Sequence, residues 1–148
     1  MKEILINLET AKLSKKEGFD YPTLFYHITN KGKYMCDDKI KGYSGSSIPE
    51  TNWNQERKAP YIEDMVFYSA PTQSLLQKWL REVRNIFVEI LMDKTTTPKF
   101  AVEIWEYSHF GNYKQIIQKK WYLYRTYEEA LESGLQEALE ELISKNNE

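Results

Sequence analysis

An α+β fold with a mostly antiparallel sheet follows from three observations on this 148-residue chain. First, Leu75, Leu76, Trp79, Leu80 and Val83 recur at the helical period, and after Asn85 the pattern switches to the two-residue alternation of Ile86, Val88 and Ile90. Second, two more alternating stretches follow, at 99–107 and 114–124, with the turn signal Gly111-Asn112 between them. Third, the chain goes back to helical periodicity behind Thr126. The order α-β-β-β-α is met most simply by an antiparallel meander with the central and C-terminal helices packed on one face. The chain reads as one domain: helix plus hairpin over 1–36, a long irregular segment over 37–61, and strand, helix, meander and helix over 62–148.

Residues 4–16 read as a helix with Ile4, Leu5, Leu8, Ala11 and Leu13 on its apolar side and Gly18 as its stop. Residues 23–28 are β-branched and aromatic, and Asn30-Lys31-Gly32 turns them into 33–36, a short hairpin. Segment 37–60 is punctuated by Gly42, Ser44, Gly45, Ser46, Ser47, Pro49 and Pro60. Tyr43, Ile48 and Trp53 are its large apolar residues, so it reads as a surface loop pinned by Trp53 or as a lid over a site. Residues 62–68 add a short strand. The central helix and its strand occupy 69–91. In the final helix Thr126-Tyr127-Glu128-Glu129 is a capping box, followed by the stripe Leu131, Leu135, Ala138, Leu139 and Leu142. Its glutamate-rich side reads as a solvated face.

The totals exclude several function classes. The composition is 41% hydrophobic and 28% charged, which belongs to folded, soluble chains rather than disordered ones. Charge is balanced at -2 overall, without the basic footprint of a general nucleic-acid binder. The α-β-β-β-α order is shared with double-stranded RNA-binding domains. Those place basic residues at the start of the last helix, where this chain has Glu128 and Glu129, so nucleic acid is not the expected partner. No signal peptide or membrane-spanning run is read, so the expected location is cytoplasmic. Cys36 is the lone cysteine and rules out a disulfide within the chain.

No catalytic constellation stands out. Cys36 and His27 lie on the first hairpin without a third, orienting group. His109 sits in a turn, and Asp37-Asp38 and Glu63-Asp64 lack metal-ligand spacing. The serines near Gly42 and Gly45 have neither nucleophile-elbow nor phosphate-loop context. No catalytic residue, metal ligand or cofactor is assigned.

Two stretches resemble a known family when taken as a pair. They are Tyr68-Ser-Ala-Pro-Thr-Gln-Ser-Leu-Leu-Gln-Lys-Trp-Leu-Arg-Glu82 and Thr126-Tyr-Glu-Glu-Ala-Leu-Glu-Ser-Gly-Leu-Gln-Glu-Ala-Leu139. The family comprises small uncharacterised proteins encoded by phages, prophages and mobile elements of gut bacteria of the Bacteroides type. The resemblance covers roughly the last half of the chain. It implies a mobile-element setting in a bacterial host cell and brings no known activity with it.

The sheet face opposite the helices is the candidate site. If Ile86, Phe100, Val102 and Trp121 face the helices, strict alternation sends Phe87, Glu89, Glu103, Trp105, Tyr107, Tyr122 and Tyr124 to the other side. So many aromatics are unusual on a solvated face. Either the N-terminal half of the chain covers this face, or Phe87, Trp105, Tyr107, Tyr122 and Tyr124 are the contact residues for a host or phage protein, a second copy of the chain or a flat ligand. Glu89 and Glu103 form a carboxylate pair on the same face, a weak basis for glycoside chemistry without a cleft. The function expected is that of a non-enzymatic accessory protein. The alternative is a small enzyme or ligand-binding protein with its site under the 37–60 loop.

Overall fold

The computed structural model describes residues 4–30, 33–34, 41–42, 52–55, 65–94, 99–108, 111–118 and 124–147. Over these the fold is α+β, with three helices and two antiparallel sheets. The chain groups into two compact units, Leu5–Pro71 and Thr72–Glu148, the latter joined by Met1–Ile4.

In the unit Leu5–Pro71, helix α1 spans Leu8–Lys16. It begins four residues later than the apolar spacing predicts. The Asn7 side chain accepts a hydrogen bond from Thr10 N at 2.9 Å and caps the helix there, while Ile6 N donates to Pro71 O at 3.1 Å. Its buried side consists of Thr10, Ala11 and Ser14, small residues that let the helix lie close. The helix ends as Gly18 predicts. Gly18 takes φ +82°, its N–H reaches Lys15 O, and Phe19 N–H reaches Ser14 O. That pair of bonds satisfies two terminal carbonyls at once.

Strand β1 (Phe25–Asn30) is central to this unit's sheet. Short strands β2 (Lys33–Tyr34) and β3 (Lys41–Gly42) share one of its edges. The other edge carries β4 (Met65–Ser69), with Tyr26↔Ser69 through Asn30↔Met65 in register. The hairpin and β4 thus build a sheet of their own, separate from the strands that follow Thr72. Trp53 packs against this sheet, its ring 4.2 Å from that of Tyr26 and 6.0 Å from that of Phe67, and its Nε1 donates to Thr23 O. Asn54 donates to Phe19 O at 2.8 Å and accepts from Ser69 N at 3.0 Å.

Lys15 crosses to β4, donating to Phe67 O at 2.7 Å with its ammonium 5.0 Å from the Tyr68 ring centre. Burial lowers its pKa below the ordinary 10.5. The folded chain thus releases this proton at lower pH than the unfolded chain does. Between the lowered value and 10.5 the unfolded state binds more protons, so this group's contribution to stability rises with pH across that window. Replacing Lys15 with Met should flatten that rise, as read from denaturant midpoints taken through the alkaline range. Equal slopes for the two proteins would refute the assignment.

In the unit Thr72–Glu148, helix α2 covers Gln73–Arg84 and is capped by Thr72, whose hydroxyl accepts from Leu75 N. Leu76, Trp79 and Leu80 are fully buried, whereas Val83, expected on the same stripe, is 47% exposed. Asn85 ends the helix with φ 56°, a left-handed conformation that asparagine tolerates. Strands β5 (Ile86–Asp93), β6 (Lys99–Tyr107) and β7 (Tyr113–Gln118) follow as an antiparallel meander in that order. Helix α3 spans Tyr127–Asn146. Thr126 Oγ1 accepts from Glu129 N at 3.1 Å, and the Glu129 carboxylate reaches back to Arg125 N at 3.2 Å.

Gln73 of α2 donates to Glu132 Oε2 of α3 at 2.8 Å, joining the two helices. Ala130, Leu131, Leu135, Ala138 and Leu139 of α3 are buried together with Ile86, Val88, Val102 and Ile104 of the sheet. Gly134 makes this close packing feasible. A Cβ built there would stand 2.7 Å from a γ-methyl of Val88 and one of Val102. At its far end α3 is tied to β6 by Lys145 Nζ, 2.7 Å from Glu106 Oε2. The even-numbered residues 88, 102, 104 and 106 therefore face the helices, which leaves the odd-numbered ones on the opposite side.

Candidate functional site

The odd-numbered face is built by cross-strand pairing. Phe87 stands opposite Trp105, and Glu89 opposite Glu103, in the β5–β6 ladder. Tyr107 pairs with Tyr113 and Trp105 with Gln115 across β6 and β7, a bulge at Ile104/Trp105 adjusting the register. The rings of Tyr107 and Tyr113 lie 5.0 Å apart, and Phe87 meets Tyr113 edge to face at 5.7 Å. Phe87, Trp105 and Tyr107 are half-buried, while Tyr113 is 59% exposed. Between them is a hollow of about 300 Å³ lined by Phe87, Glu89, Trp105 and Tyr113. The indole nitrogen of Trp105 is buried and meets no hydrogen-bond partner among the described residues.

Three of the expected contact residues, Phe87, Trp105 and Tyr107, thus share one face. Tyr124 does not join them. It pairs with Phe100, which faces α3, and its hydroxyl lies 2.6 Å from Ser133 Oγ of that helix. The physical reason is a change of parity. From the Glu103↔Gln118 pair to the Phe100↔Tyr124 pair, β6 advances three residues and the returning chain six. An odd number of extra residues turns a side chain to the other face. Tyr122 and Trp121 lie outside the described residues.

Sequence reasoning missed Tyr113, assigning it to the turn. Gly111 takes φ +82° and donates to Ser108 O, while Ser108 N donates to Asn112 O, so the turn closes before Tyr113. Counting back from a tight turn at Gly111-Asn112 would have placed Tyr113 across from Tyr107.

A second hollow, of about 370 Å³, runs along the outer edge of β5 between Gln77, Arg81 and residues 87–91. There Gln77 Nε2 donates to Val88 O at 2.7 Å, occupying an outward-pointing carbonyl of the edge strand.

His27 is buried, and its Nε2 lies 3.0 Å from Ile6 O, a structural bond. Cys36, His109, Asp37, Asp38, Glu63 and Asp64 lie outside the described residues, as does most of the 37–60 segment proposed as a lid. Among the described residues no group of acidic, histidine or cysteine side chains could hold a metal. No helix among them is long and apolar enough to cross a membrane.

The fold and this face define an α+β protein with an open aromatic sheet surface edged by carboxylates. No family model, curated protein or solved structure matches the chain.

Proposed function

We propose that this protein is a non-enzymatic accessory protein that works by binding a partner protein through the Phe87, Trp105, Tyr107 and Tyr113 face. The carrying observation is the hollow lined by Phe87, Glu89, Trp105 and Tyr113, which is open beside a 59% exposed tyrosine. Tyrosine and tryptophan favour such contacts because each joins a large apolar surface to a hydrogen-bonding tip. The resemblance to phage and mobile-element proteins supplies the setting: the cytoplasm of a bacterial host, with a host or phage protein as partner, or a second copy of this chain.

The test compares the wild type with Trp105→Ser/Tyr113→Ser and with Tyr113→Ser alone. Association is read by light scattering and by cross-linking in extracts of infected or lysogenic host cells. Both variants should lose association, and Tyr113→Ser should keep its thermal midpoint within a few degrees, as exposed sites do. Undiminished association in both variants, or unfolding of Tyr113→Ser, would overturn the reading.

A further inference from the structure

We propose that the hollow beside Trp105 recognises an arginine side chain of the partner, its guanidinium stacked among the rings and forked between Glu89 and Glu103. The inference rests on the partner-binding reading above and names the chemistry that the face selects. Glu89 and Glu103 occupy directly opposed positions on β5 and β6, on the same side as the rings. Side chains so placed have their Cβ atoms about 5 Å apart, and like charges there repel. No ion pair or hydrogen bond offsets this among the described residues, for either carboxylate. A cation bound beside them would meet two carboxylates that have no other partner among the described residues.

The neighbouring surface specifies which cation. Phe87, Trp105 and Tyr113 line the hollow with Glu89, so the charge must enter against aromatic faces. A guanidinium is planar and weakly hydrated, stacks on such rings, and presents N–H groups along two edges. Two carboxylates on adjacent strands match that fork, whereas an ammonium is a compact, strongly hydrated point charge. A hollow of about 300 Å³ leaves room for the side chain.

The test is a titration of the full chain with N-acetyl-arginine methylamide, followed by the indole N–H resonance of Trp105. That signal is assigned by its loss in Trp105→Phe. Saturable shifts in the millimolar range are expected, weaker in high salt. The lysine analogue and tetramethylammonium should bind several-fold more weakly. Glu103→Gln should weaken arginine binding about tenfold, and with the carboxylate repulsion removed it should raise the thermal midpoint slightly. Absence of a shift at tens of millimolar overturns the arginine assignment, as does tighter binding of tetramethylammonium or an unchanged affinity in Glu103→Gln. If arginine fails while Tyr113→Ser still abolishes association, the face binds its partner through other chemistry. If Tyr113→Ser associates normally, the partner-binding reading itself has failed.

Discussion

Replacing Trp79 with alanine should cost about 3–5 kcal/mol, the range for removing a large aromatic from a packed core. Trp79 is fully buried on α2 between Leu76 and Leu80, which are buried as completely, and the Arg84 guanidinium lies 5.4 Å from its ring centre. Truncation removes the largest fully buried side chain among the described residues and leaves a void that close-packed neighbours fill only in part. Domains of this size are typically stable by only about 5–15 kcal/mol, so the loss is a large share of the total. It should lower the thermal midpoint by roughly 10–20 °C. Val83→Ala on the same helix is the control. Val83 is 47% exposed, and its loss should stay within about 0.5 kcal/mol. Urea melts of the two variants check both values, and a loss below about 1 kcal/mol for Trp79→Ala would contradict the packing described.

Gly134→Leu should be as damaging, by the opposite route. In the middle of α3 a glycine costs about 1 kcal/mol of helix propensity relative to alanine, so on local grounds alanine or leucine should help. Packing outweighs this. The added Cβ alone would come within 2.7 Å of γ-methyls on both Val88 and Val102, side chains that are almost completely buried. Overpacking of this kind costs about 1–3 kcal/mol and more when no neighbour can move. Gly134→Ala should therefore lose about 1 kcal/mol net, and Gly134→Leu about 3 or more, with α3 pushed off the sheet. Combining Gly134→Ala with Val102→Ala should cost less than the two changes added separately, a coupling that chemical melts can measure. A more stable Gly134→Ala would mean that the helix lies farther from the sheet than described.

The C-terminal half was largely legible because its signals are local. Asn85 marks a helix end by its own backbone preference, Thr126 and Glu129 mark a helix start, and strand β6 spans the residues its alternation outlines. Legibility stopped where pairing between distant residues decides the outcome. Nothing near Tyr124 in sequence records that three extra residues precede its bridge to Phe100, so alternation carried to that point gives the wrong face. The partner of β4 is equally hidden, since its pairing with β1 joins residues about forty positions apart. At the first helix, Ile4 and Leu5 mimic helical spacing, and only the Asn7 cap reveals that the helix starts after them. On the candidate face, periodicity alone put Phe87 and Trp105 on one side, and the strand register set them opposite each other. Tyr113 needed the turn geometry as well.

The contacts of Trp53 and Asn54 also bear on how the chain can change its length. Between β3 and β4 the backbone is fastened midway, by Trp53 to Thr23 and by Asn54 to Phe19 and Ser69. One long closure is thereby divided into two shorter ones, each with its own entropy of closing. Because that entropy grows only with the logarithm of length, doubling either half adds only about 0.6 kcal/mol. Residues can thus be gained or lost on one side of the fastening without disturbing the register of β1 and β4 on the other.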